Sequence, residues 1–178
     1  MSGKGGFLLG LFFWTGAVSA AEQHLEPVAV ILNDAQGKQV GDVNLTEEVN
    51  GVQVIVNLKD LPPGTYALHF HENGKCEGPD FKSAGDHFNP EKRKHGNVKG
   101  GPHAGDMKNI KVEKDGTGHL EEKNARVTLK EGANSLLKKG GTSVILHERA
   151  DDMKSQPAGN AGKRIACGEI KSPEGEKK

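Results

Sequence analysis

Histidine spacing constrains this chain more than any other feature. His69 and His71 are two apart, His87, His95 and His103 follow at eight-residue intervals with Asp106 three further on, and His147 stands alone in a later apolar run. Imidazoles and carboxylates are typical ligands of transition metals, so this spacing suits one compact two-metal site. A fold that serves such a site must bring a strand, a long polar loop and a distant apolar segment together.

The apolar pattern is that of short strands. In the segment 52–58, Val52, Val54, Val56 and Leu58 alternate with Gln53 and Asn57, the signature of a half-buried strand. By the same reading, strands are expected at 28–32, 39–45, 52–58, 65–72, 107–113, 119–129, 142–148 and 164–170. Leu61-Pro62-Pro63-Gly64 interrupts the ladder, and no helix longer than a turn is expected. Residues 73–105 have no periodicity, and an irregular stretch of that length in a compact domain normally carries function. A second long loop spans 149–163. Glycine is 25 of 178 residues and aromatics only 4%, which also favours a turn-rich β protein. The expected fold is all-β, an eight-stranded antiparallel barrel or sandwich with two long functional loops.

Composition excludes one function class. Basic and acidic residues number 24 each, so the chain lacks the basic excess of a nucleic-acid binder. The N-terminus reads as a signal peptide: Lys4, an apolar run from Phe7 to Val18, then small residues that allow cleavage after Ala20 or Ala21. The run is shorter than the ~20 residues of a spanning helix, so no stable membrane anchor is expected. The domain is then expected at 21–170, with 171–178 a mobile charged tail and the product exported, to a periplasm or outside the cell. In an oxidising compartment Cys76 and Cys167, 91 positions apart, favour a bridge over two separate buried thiols.

Strand geometry orients the histidines. Along Tyr66-Ala67-Leu68-His69-Phe70-His71, Leu68 and Phe70 face one side while His69 and His71 share the other, ~6.6 Å apart. His147 likewise projects opposite the core-facing Val144 and Leu146. His87, His95, His103 and Asp106 supply three nitrogens and one oxygen, a set that suits tetrahedral zinc. A mainly imidazole site with an open position suits copper. His24 and His119 fall outside the spacing and read as surface residues.

Five segments carry a resemblance: Leu68-His69-Phe70-His71-Glu72, Gly85-Asp86-His87-Phe88-Asn89-Pro90, Gly101-Pro102-His103-Ala104-Gly105-Asp106, Leu146-His147-Glu148-Arg149-Ala150-Asp151-Asp152, and Gly159-Asn160-Ala161-Gly162-Lys163-Arg164-Ile165-Ala166-Cys167-Gly168. In this order, over residues 28–170, the chain resembles the copper,zinc superoxide dismutases in their exported bacterial form. The resemblance implies a Greek-key β-barrel that disproportionates superoxide to oxygen and hydrogen peroxide, with one copper and one zinc per subunit. It further implies copper on His69, His71, His87 and His147, and zinc on His87, His95, His103 and Asp106, with His87 as the bridging, proton-carrying ligand. Arg164 would receive the superoxide anion, Asp151 would orient His69 and His95, and Cys76 and Cys167 would form the family's disulfide.

The chain also departs from the pattern. Asp86 stands where Pro or Gly is common, placing a charge close to both metals, and Ala67-Leu68 replace the commoner Gly and aromatic pair. Two rivals stand beside the enzyme: a non-catalytic copper/zinc carrier on the same fold, and a zinc hydrolase, disfavoured because no carboxylate is placed as in an HExxH site. Quaternary state is left open, and a homodimer is compatible with the sequence. If cleavage follows Ala21, a terminus of Glu22-Gln23-His24 offers a nitrogen set for weak auxiliary copper capture.

Overall fold

The structure is a computed structural model that describes residues 25–172. The segment read as a signal peptide, its expected cleavage point, the His24 terminus and nearly all of the charged tail lie outside the described residues. The described residues form nine strands: β1 Val28–Asp34, β2 Gln39–Glu48, β3 Gly51–Leu58, β4 Gly64–Tyr66, β5 Leu68–His71, β6 Ile110–Val112, β7 Gly118–Asn124, β8 Thr142–His147 and β9 Arg164–Ile170. Among the described residues the only helical element is a single 3-10 turn, Lys82–Ala84.

All pairings between these strands are antiparallel, and the spatial order is β4-β6-β7-β3-β2-β1-β9-β8-β5. The outermost members of that order, β4 and β5, are successive pieces of one chain segment, so the sheet nearly closes on itself. Here the expected fourth strand, 65–72, is corrected to two. Its backbone changes partners at Ala67, whose N–H donates to the Arg149 carbonyl at 2.8 Å and whose carbonyl accepts from His147 at 2.9 Å. Tyr66 still pairs with β6, whereas Leu68 already pairs with β8. Counting that segment as a single pass restores the eight passes that the alternation implied.

The interior follows from alternation. Val30 and Leu32 on β1, Val43 and Leu45 on β2, and Val52, Val54 and Val56 on β3 meet Leu68, Phe70, Val144 and Leu146 in one core. Each such side chain contributes about 1.5–3 kcal/mol on burial, which pins the inward register of every strand. Ala67 and Leu68, the departures before the first histidine, are both fully buried packing residues.

Two expected strands are shorter than the pattern implied. Strand 107–113 reduces to Ile110–Val112, and strand 119–129 ends at Asn124. The Asn124 side chain terminates the ladder by donating to the Ala104 carbonyl at 2.9 Å and accepting the Arg126 N–H at 2.9 Å. The turn so formed sends Arg126 toward the long loop instead of along the sheet.

Candidate metal centre

β5 sets the frame of the site. Leu68 and Phe70 enter the core, and His69 and His71 stand on the opposite face with ring centroids 6.5 Å apart, close to the strand spacing expected. The long loop then returns to β5 twice. Bridges pair His71 with His87 and His69 with Asp106, secured by Phe88 N–H to Phe70 O at 2.8 Å, Phe70 N–H to Gly105 O at 2.9 Å and Gly105 N–H to Phe88 O at 2.8 Å. A Cβ on residue 105 would sit 2.4 Å from the Phe70 carbonyl oxygen, so glycine is what lets the three backbones close.

His147 arrives from the end of β8. The ladder slips register between Leu146 and His147, leaving His147 opposite Arg164 of β9. Such bulges re-aim side chains beside functional sites. The rings of His69 and His147 lie 4.9 Å apart between centroids, and those of His71 and His87 5.0 Å.

Hydrogen bonds fix which nitrogen of each ring is free. Asp151 accepts from His69 Nε2 at 2.8 Å and from His95 Nε2 at 3.0 Å, leaving each Nδ1 to face inward. His71 Nδ1 donates to the Gly85 carbonyl at 2.9 Å, and His147 Nδ1 points at the Gly162 carbonyl at 3.4 Å, which leaves the Nε2 of both. His69 Nδ1, His71 Nε2, His87 Nε2 and His147 Nε2 are buried without a hydrogen-bond partner. Apart from the Ser143 hydroxyl, they are the only such side-chain atoms among the described residues. These rings form a group whose ligand atoms lie within 4.8 Å of one another. A buried unpaired polar atom costs about 1–3 kcal/mol. Four converging lone pairs are a set that a cation would satisfy.

The second set has a different geometry. Asp106 Oδ1 lies 3.0 Å from His87 Nδ1, 3.1 Å from His95 Nδ1 and 3.2 Å from His103 Nδ1, while His103 Nδ1 and His87 Nδ1 are 3.4 Å apart. Atoms about 2.0–2.1 Å from a tetrahedral centre are roughly 3.3 Å from each other, so these contacts match the edges of a zinc-sized tetrahedron. His69 also falls within reach, in a group with His87, His95 and Asp106. Its inward nitrogen, Nδ1, is already one of the four that converge in the first set, whereas His103 Nδ1 lies against Asp106 Oδ1. Only His87 turns one nitrogen to each set.

Electrostatics separate the two sets. Burial, with neighbouring His87 and His69, holds His71 well below the usual histidine range and His147 down at about 3; burial likewise lowers His87 to about 4, against its bond to Asp106. These rings are neutral and ready to donate lone pairs. Burial also disfavours a charged His95, but hydrogen bonds to the Asp106 and Asp151 carboxylates outweigh it and raise that ring to about 9. Asp106 overcomes its own burial through three imidazoles and the Gly96 N–H, and its carboxyl is held far below the ordinary range.

Arg164 is half-buried, with Nη1 donating to the Phe81 carbonyl and Nη2 to that of Gly85, both at 2.7 Å. It lines a cavity of about 650 Å³ together with His71, His87 and His147. Cys76 and Cys167 form a disulfide, Cα atoms 5.6 Å apart, tying the start of the loop to β9. His119 lies away from the site, exposed and bonded to Asn57 at 2.9 Å.

Several supporting residues escaped the sequence reading. The Gln156 side chain makes a two-point clip on His95, accepting its N–H at 2.8 Å and donating to its carbonyl at 2.9 Å. Arg126 donates to the carbonyls of His103 and Asp106, and Asn109 accepts the Asp151 N–H at 2.8 Å. The Gly85 carbonyl serves both His71 and Arg164. All act through backbone groups, which leave no spacing signal.

Residues 39–170 match the family described as copper/zinc superoxide dismutase (SODC). The chain is 49% identical over 152 residues to a superoxide dismutase [Cu-Zn] of Aquifex aeolicus, covering 84% of this chain and 89% of that one. It is 41% identical to the Caulobacter vibrioides enzyme, covering 79% and 83%. A crystal structure of a SOD-like protein from Bacillus subtilis superposes with a TM-score of 0.77 at 36% identity, covering 80% of this chain and 97% of that one. With this barrel, these two histidine sets and these relatives, the chain belongs to the copper/zinc superoxide dismutase family, as an oxidoreductase that disproportionates superoxide with copper and zinc as cofactors.

Proposed function

We propose that His69, His71, His87 and His147 hold the copper, that His87, His95, His103 and Asp106 hold the zinc, and that Arg164 receives the superoxide anion. The observation that carries the copper assignment is the set of four buried, partnerless nitrogens converging from three elements. Support for the zinc assignment comes from the tetrahedral edge lengths around Asp106 Oδ1.

Bound copper supplies a one-electron couple that accepts an electron from one superoxide and returns it to a second, giving oxygen and hydrogen peroxide. The chain does the rest. Arg164, its guanidinium fixed by two carbonyls, holds the anion beside His87 and His147. His87 is anchored through Nδ1, the nitrogen it gives to the zinc set, so its Nε2 can take up a proton and pass it to the departing peroxide; the second proton enters from water in the cavity. Asp151 keeps His69 and His95 in the tautomers that present Nδ1.

The disulfide and the leader-like N-terminus support export to an oxidising compartment, periplasmic or extracellular. The assignment is tested by metal analysis and turnover of two variants. His147→Ala should keep zinc while losing copper and activity; Asp106→Ala should lose zinc first. Full activity in His147→Ala overturns the copper set, and parental zinc affinity in Asp106→Ala overturns the zinc set.

A further inference from the structure

The cavity that leads to Arg164 is not uniformly positive. Besides the arginine, its charged lining residues are Lys138, Glu72 and Asp86, two cations against two carboxylates. Asp86 is exposed and directly precedes His87. Its place relative to the guanidinium is fixed by backbone, since the Gly85 carbonyl, which accepts from Arg164, belongs to the peptide that leads into Asp86. The Asp86 carboxylate opposes the effect of burial on Arg164, so the two charges feel one another. Asp86 pairs with Glu72 through its backbone: Glu72 N–H donates to the Asp86 carbonyl at 2.9 Å, and Asp86 N–H to Glu72 Oε1 at 3.3 Å. The carboxylate itself is therefore free of that scaffold.

We propose that Asp86 is a specificity residue, a charge filter at the cavity mouth that admits a monoanion to Arg164 and turns back dianions such as sulfate or inorganic phosphate. The physical basis is that repulsion grows with the charge of the incoming ion. A unit charge about 7 Å from the path, screened as in water, lowers occupancy by a monoanion about threefold, and by a dianion by about the square of that factor. The filter slows superoxide somewhat. It protects the site far more against abundant doubly charged ions.

This inference rests on the reading of Arg164 as the anion site, and two variants separate the two ideas. Asp86→Asn keeps shape and backbone pairing while removing the charge. Azide and sulfate are titrated into the copper- and zinc-loaded protein at low ionic strength, followed by the copper(II) absorption spectrum, with sulfate read by competition. Azide affinity should rise about threefold in Asp86→Asn and sulfate affinity by about the square of that, both gains shrinking as salt is added. Equal gains for the two ions, or none, overturn the filter. Arg164→Gln should weaken both ions; if it leaves both affinities unchanged, the anion reading of Arg164 falls, whatever Asp86→Asn shows.

Discussion

At the scale of single residues, the imidazoles differ in how much proton they must give up. His95 sits between two carboxylates and holds a proton up to about 9, whereas burial has already neutralised His147 and His87. On the zinc set proposed above, uptake by the metal-free protein must therefore displace a proton from His95. Affinity should climb with pH up to about 9, by as much as tenfold per unit for one proton released, and then level off. The sign for folding is opposite. A raised histidine stabilises the metal-free fold below its unfolded value of about 6.5, and that contribution is lost as pH rises through about 9. Chelator competition and thermal melts of the metal-free protein over this window check both trends; a zinc affinity that is flat with pH would contradict the role of the Asp106–His95–Asp151 chain. Most of these residues were legible in the sequence, because ligands must be specific residue types at spacings a strand and a loop can deliver. Gln156, Arg126 and Asn109 were not, since each acts on a backbone group that any residue supplies.

At the scale of elements, the loop after β8 is fitted to the site by one glycine. Gly159 has φ +62, and a Cβ there would meet Asp151 Oδ1 at 1.8 Å and His95 Nε2 at 2.7 Å. Gly159→Ala must push Asp151 off the two rings it orients, weakening zinc and copper retention by about 10- to 100-fold. Gly37→Ala is the control: φ is +80 but nothing lies within 4 Å, so only backbone strain of about 1–2 kcal/mol is added. Metal retention measured against a chelator should separate them, and similar retention in both variants would remove the positioning role of Gly159. The strands were readable from alternation, which reports which face is buried. Their ends were not. β7 stops at Asn124 because of a side-chain bond to a loop 20 residues earlier, and the break at Ala67 is set by partners at Arg149 and His147, beyond the reach of any local pattern.

Across the whole molecule, the disulfide acts on the unfolded chain more than on the site. It joins positions 91 apart, and by loop entropy such a tether is worth about 4–5 kcal/mol. Cys76→Ser should lower the stability of the metal-free protein by up to that amount and loosen the loop residues Phe81 and Ala84 from Ile145 and Cys167 of the barrel, with which they form a small cluster. Denaturant unfolding of the oxidised parent against the variant measures this; coincident midpoints would show that the tether contributes nothing.

The carboxylate of Asp151 touches one ring from each proposed metal set, and His87 belongs to both. Occupancy at one position therefore cannot be energetically independent of occupancy at the other. By whatever factor zinc changes the hold on copper, copper must change the hold on zinc by the same factor. The protein thus titrates as a two-input device, in which the apparent affinity for either ion is set partly by the supply of the other.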